Sequence, residues 1–206
     1  MLNELLKRYP CLESTREDII IAENALITAF KNGNKLLMCG NGGSCADCEH
    51  IAGELMKGFL SKRPLSEEQK AEMKANCPEI EEKYLSLLQR AVPAIALPSF
   101  TALNTAFCND VEPELVFAQG LMGLGEKDDV LLCISTSGNS KNVVAAALTA
   151  KALGIKTIGL TGKTGGKLKS ICDICVCVPE TETFKVQELH LPVYHYLCAR
   201  VEEKIF

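Results

Sequence analysis

Positive charge is not in excess in this chain of 206 residues: 22 Lys and Arg face 26 Asp and Glu, a formal net charge of −4. That balance excludes a nucleic-acid or membrane-surface partner held by bulk electrostatics. Long hydrophobic runs are missing as well. No apolar stretch approaches the roughly 20 residues that a bilayer-spanning helix needs, and Met1 to Pro10 lacks a signal-peptide core, so a cytoplasmic protein is expected. Internal repeats and low-complexity tracts are absent. So are the nucleotide fingerprints. Residues 40–44 fail the G-x-G-x-x-G spacing and no acidic ribose partner follows, while Thr161 to Leu168 holds no G-x-x-x-x-G-K-[S/T] match and reads as a turn and helix start.

Cysteine, by contrast, is abundant and odd in number, with 11 residues. Cys39, Cys133, Cys175 and Cys177 lie inside apolar, strand-like runs, where a free thiol behaves as a small hydrophobe, and a reducing interior is expected. The two C-x-x-C pairs, Cys45/Cys48 and Cys172/Cys175, are too far apart and too poor in turn chemistry for a compact structural zinc site. Cys45 and Cys48 fall in the first turns of a helix, where a thiol pKa is open to lowering and a redox role would begin.

With 47% hydrophobic and 23% charged residues, the composition is that of one soluble α/β domain with a substantial core. Residues 12–32 carry a helical apolar pattern that stops at Gly33. Short apolar runs at 35–39, 94–97, 130–134, 156–160 and 174–178 read as strands. Helical patterns lie between them, and a long helix closes the chain over about 183–203. Continuous apolar strands alternating with helices predict a parallel sheet covered on both faces. Residues 61–93 change character: charged, with Pro64 and Pro78, they read as two short polar helices (66–76 and 79–88) inserted into the single domain.

The richest segment is Ile134 to Ser140. Ser135, Thr136, Ser137 and Ser140 place four hydroxyls at the end of a buried strand, directly before the helical pattern Val143, Val144, Ala147, Leu148. A helix start offers free N–H groups and partial positive charge, and hydroxyls add donors without adding charge, so this turn is suited to a phosphate. One Ser would suffice for a cap. A second turn, Gly40, Asn41, Gly42, Gly43 and Ser44, follows another strand in the same way. Binding sites of parallel sheets lie at the carboxyl ends of the strands, where both turns belong.

All three histidines sit in two helices. His50 and Glu54 stand one turn apart on one helix face, within reach of a common ion or proton, although the spacing equally suits a solvated i,i+4 pair. In the last helix, Gln187, Glu188, His190 and His195 interrupt an otherwise apolar stretch. Gln187 and His195 are two turns and about 80° apart, so their side chains can converge. His190 has the spacing of a further ligand and also that of a core or capping histidine.

These segments, with Asn109 and Asp110 and with Leu160 to Lys167, are similar in kind and order to the sugar isomerase (SIS) domain family, and most closely to bacterial phosphoheptose isomerases. The likeness spans nearly the whole chain outside 61–93. It implies a three-layer α/β sandwich with a five-stranded parallel sheet, flavodoxin-like, and a homotetramer with sites at subunit interfaces. It implies zinc held by His50, Glu54, Gln187 and His195, phosphate held by Ser135, Thr136, Ser137 and Ser140, and a sugar site lined by Asn41, Gly42, Gly43, Ser44, Asn109 and Asp110. It also implies Glu54 and His195 as the acid/base pair of an aldose–ketose isomerisation through an enediol(ate), in the supply of heptose precursors for lipopolysaccharide. Imidazole, carboxylate and amide oxygen suit Zn²⁺ without excluding another divalent ion.

Two departures and two rivals accompany the likeness. The 61–93 insertion leaves directly after the helix bearing Glu54 and is expected to cover the site. Pro192, between Gln187 and His195, is expected to kink the last helix or to be confined to an early turn. The rivals are a non-catalytic relative of the replication-initiator-binding type and a sensor or isomerase of another phosphosugar. The presence of both Glu54 and His195 favours an enzyme.

Overall fold

The computed structural model describes all 206 residues. Five parallel strands, β1 (Leu36–Cys39), β2 (Ala94–Ala96), β3 (Val130–Ser135), β4 (Lys156–Thr161) and β5 (Ile174–Cys177), form one sheet in the order β2-β1-β3-β4-β5. Every residue of β1 and β3 is buried, as strands covered on both faces must be, whereas β5 at the edge alternates buried with half-buried. Helices α1 (Leu2–Arg8), α2 (Arg16–Lys31), α3 (Gly43–Met56) and α10 (Thr183–Ile205) pack on one face around Leu36, Met38, Leu132 and Ile134. Helices α7 (Val116–Leu124), α8 (Lys141–Ala152) and α9 (Leu168–Ile171) pack on the other, around Leu37, Cys39, Leu131 and Cys133. The alternation along β1 and β3 divides the two cores.

Local chemistry sets the element ends. Helix α2 begins at Arg16 after a short 3-10 turn over Pro10–Thr15, four residues later than the apolar pattern suggests. It ends where Gly33 takes φ +81°, letting the Gly33 and Asn34 amides bond Phe30 and Ala29 carbonyls, a left-handed terminus that glycine adopts without a Cβ penalty. Helix α10 runs unbroken through Pro192, contrary to the expected early-turn position. The lost backbone bond costs about 3 kcal/mol. Burial of Val186, Val193, Tyr194, Leu197 and Val201 against α2 and α3 offsets it.

The insertion is an excursion with a pinched base. Pro64 and Gln89 form an antiparallel bridge, and Arg90 N–H donates to Arg63 O at 2.8 Å. Between them lie α4 (Glu67–Asn76), opened by a Ser66/Gln69 capping box and with no buried residue, and α5 (Glu82–Leu87). Helix α6 (Thr101–Asp110) likewise buries none of its residues.

Cysteines form a row across the sheet. Cys39, Cys133, Gly159 and Cys175 are register partners on adjacent strands, so their side chains project from the same face. A Cβ at Gly159 would lie 3.0 Å from Cys175 Sγ and 3.5 Å from Cys172 Sγ, so the glycine leaves the space those thiols fill. All 11 cysteines are free thiols.

Candidate active site

The order β2-β1-β3-β4-β5 reverses direction between β1 and β3, and a crevice opens at the carboxyl ends of such neighbours. The turn after β1 starts α3, and the turn after β3 starts α8. Asn41 and Asn142 tie these turns together, each amide donating to the other's oxygen at 2.9 Å. Gly42 has φ +55° and ψ −121°, a conformation open to glycine alone. Gly43 must lack a side chain for a different reason: a Cβ there would lie 2.4 Å from Gln187 Nε2. Ser44 is buried in the first turn of α3.

The hydroxyl turn is organised from within. Ser135 Oγ and Ser140 Oγ lie 3.0 Å apart, so Ser140 faces the strand end and does not cap α8 with its side chain. Ser137 Oγ accepts from Asn139 N–H at 3.2 Å, and Asn139 Oδ1 accepts from Lys167 N–H at 3.0 Å. Thr136 O accepts from Gly162 N–H. The turn is thereby held between the ends of β3 and β4 with the amide end of α8 open to an anion.

Helices α3 and α10 bring three of the predicted side chains, His50, Glu54 and His195, together. His50 Nε2 is 3.2 Å from Glu54 Oε1 and 3.5 Å from His195 Nε2. Glu54 Oε2 pairs with Lys57 Nζ at 3.1 Å. The Glu54 side chain is 15% exposed against 42% for His50, so the carboxylate is the sheltered member. The rings of Phe59 and Tyr194 flank His195. Burial pulls the His195 pKa down, the nearby His50 adds to that, and Glu54 opposes it. Gln187 reaches the amino end of α3, beside Gly43. The donor set of two imidazoles, a carboxylate and an amide is of the kind that holds a divalent ion. No three His, Cys, Asp or Glu side chains of the chain form a metal site by themselves.

Other predicted residues fall elsewhere. Asn109 and Asp110 bond each other at 2.8 Å at the exposed end of α6, with no bond to either turn. His190 is fully buried with both ring nitrogens unpartnered, a core histidine rather than a ligand. Burial pushes its pKa down to about 4, against a Thr161 backbone group that faces the ring without closing a hydrogen bond. Cys45 and Cys48 are also corrected: burial raises both thiols, the reverse of an activated pair, because Cys48 points into the core. Two residues escaped the sequence reading. Tyr194 OH lies 3.0 Å from His50 Nδ1 and donates to Asp47 Oδ1 at 3.2 Å. The signals for them were slight: Asp47 stands one turn before His50, and Tyr194 adjoins His195.

A SIS domain profile matches residues 98–198 and a second SIS domain profile matches residues 2–95. The chain is 41% identical over 204 residues to the phosphoheptose isomerase of a Nitratiruptor species, covering 97% of this chain and 95% of that one. It is 40% identical over 180 residues to that of Aneurinibacillus thermoaerophilus, covering 87% and 78%. Among solved structures, a phosphoheptose isomerase from Francisella tularensis superposes with a TM-score of 0.78 at 30% identity over 95% of this chain and 91% of that one. With identity of this order along nearly its full length and the same fold, the chain belongs to the SIS domain family, in its phosphoheptose isomerase branch.

Proposed function

We propose that the protein interconverts sedoheptulose 7-phosphate and D-glycero-D-manno-heptose 7-phosphate through an enediol(ate). The observation that carries this reading is the meeting of Glu54, His50 and His195 at the junction of α3 and α10, with the start of α3 tied through Asn41 and Asn142 to the start of α8 after the hydroxyl turn. The amides and hydroxyls of Ser135, Thr136, Ser137 and Ser140 bind the phosphate and fix the sugar's far end. Glu54 takes the proton from C1 of the ketose and returns it to C2. His195, whose pKa burial and the nearby His50 pull down, exchanges protons with the two oxygens. Asn41 and Ser44 line the sugar between these ends. The non-catalytic alternative has no support at the site, where both acid/base residues are present.

His50, Glu54, Gln187 and His195 would hold a zinc ion. His50 Nε2 already stands 3.2 Å from Glu54 Oε1 and 3.5 Å from His195 Nε2, and imidazole, carboxylate and amide oxygen are donors that suit zinc. When bound, zinc supplies a Lewis acid that polarises the carbonyl and orients both oxygens. A homotetramer is supported by α6, which buries nothing and exposes Leu103, with Phe100, Val111 and Leu115 exposed at its ends. It carries Asn109 and Asp110, which a neighbouring subunit's site would use. The activity would run in the cytoplasm, in heptose precursor supply for lipopolysaccharide. No helix is long and apolar enough to cross a membrane. NMR of the protein with a panel of phosphorylated ketoses tests the reading: new aldose anomeric signals are expected from sedoheptulose 7-phosphate, and their absence with metal-loaded protein overturns it.

A further inference from the structure

His50 is gripped from its Nδ1 side as well as facing the site. Tyr194 is 1% exposed, and its hydroxyl lies between His50 Nδ1 and Asp47 Oδ1. Asp47 Oδ2 is buried without any partner, so the bond from Tyr194 is the only one its side chain receives. A phenol has one proton to give. Given to His50, it would leave a sheltered carboxylate with no hydrogen bond at all, the costlier arrangement for a charged group. Given to Asp47, it leaves the phenol oxygen as an acceptor, and His50 must then carry its proton on Nδ1. A neutral imidazole protonated there has a bare lone pair on Nε2, the atom that faces Glu54 Oε1 and His195 Nε2. Two acceptors 3.2 Å apart repel, so without a cation the bonds to Tyr194 and Asp47 must outweigh that repulsion, and a cation between the two removes it.

We infer that Asp47 and Tyr194 are positioning residues that hold His50 in its Nδ1–H tautomer and so aim the Nε2 lone pair at a divalent cation. This rests on the reading of His50 as a metal ligand. A ring whose outer N–H is already committed loses less freedom on binding metal and cannot offer the wrong nitrogen.

Long-range ¹H–¹⁵N spectra of the metal-free protein at pH 7.5 read the tautomer directly, with His190→Gln and His195→Gln assigning the three rings. The expected wild-type result is a protonated Nδ1 and a bare Nε2 at His50. Tyr194→Phe should move protons onto Nε2, with unchanged circular dichroism, and weaken zinc binding by about 10–100-fold in competition with a chromophoric chelator. Asp47→Asn, a milder change, should do the same to a smaller degree. A wild-type His50 protonated on Nε2, or on both nitrogens, overturns the inference even where zinc binds tightly. So does a Tyr194→Phe protein with unaltered tautomer and zinc affinity. A wild-type protein with Nδ1–H that takes up no zinc upholds the tautomer assignment and overturns the metal reading instead.

Discussion

Arg63 and Glu202 form a buried ion pair, Nε to Oε1 at 2.6 Å, in which each partner also holds backbone. Arg63 donates to the carbonyls of Leu55 and Glu54, closing the end of α3, while the Glu202 carboxylate accepts from the amides of Phe59, Leu60 and Ser61. The guanidiniums of Arg63 and Arg90 both lie over the ring of the terminal Phe206. One pair thus ties the insertion's base, the helix of Glu54 and the helix of His195 together.

Removing one partner strands the other in the core. Glu202→Gln should lower stability by about 3–5 kcal/mol in urea unfolding. Burial alone would raise the Glu202 pKa, but the Phe59 and Leu60 amides and Arg63 outweigh it and hold it below its ordinary value. A depressed carboxylate contributes stability present above its unfolded pKa and lost as pH falls through the folded one, so wild type should weaken below about pH 4.5. A Glu202→Gln protein that retains the full acid dependence would contradict this assignment.

His190 gives a separate pH signal. Its folded pKa near 4 against 6.5 unfolded means that the unfolded chain binds the extra proton in between. Stability is therefore complete above pH 6.5 and declines towards pH 4 at about 1.4 kcal/mol per unit. In His190→Gln that segment of the profile should flatten, as chemical denaturation at pH 7, 6 and 5 would reveal.

Phosphate binding should depend on the hydroxyl turn. Ser140→Ala removes a hydroxyl facing Ser135 at the start of α8, and Ser137→Ala removes an exposed one. Each is expected to weaken binding of a sugar phosphate by about 1–3 kcal/mol with the fold intact. Calorimetry that returns the parent affinity would locate the anion elsewhere.

Glu54→Gln should lose turnover while binding persists, because the amide keeps the size and one oxygen but accepts no proton. Solvent deuterium should no longer enter C1 or C2 of the sugar phosphate. Metal content has to be measured on the same sample, since Glu54 is also a proposed ligand. A variant with parental metal content and parental exchange would pass the role of base to His195.

Metal removal offers a fold-level check. Protein purified without chelator is expected to carry about one divalent ion per chain, and chelation to lower the melting temperature, restored by zinc. Elemental analysis showing no stoichiometric metal, and no thermal shift with zinc, would end the zinc reading.

Much of the architecture was legible because its causes are local. Buried apolar runs such as Leu36 to Cys39 report a covered parallel strand, and the pairing of Gly33 with a preceding Lys31 reports a helix end. The hydroxyl turn, and His50 with Glu54 one turn apart, were visible for the same reason. What stayed hidden depends on which elements meet. The strand order, the Asn41–Asn142 pair and the seating of Tyr194 against His50 and Asp47 arise from packing across more than 100 residues of chain, which no periodicity encodes. The early-turn alternative for Pro192 failed because helix propensity is a weak term beside the burial of α10.

The row of thiols across the sheet gives the protein a built-in clock for its own opening. Cys11 and Cys77 at the surface are open to a thiol reagent at once, whereas Cys39, Cys48, Cys133 and Cys198 are shut away, and burial pushes the Cys48 and Cys198 thiols up. Labelling of the buried set must wait until strands β1 and β3 part from the helices above them, so the slow phase of modification times the unfolding of the sheet without any introduced probe.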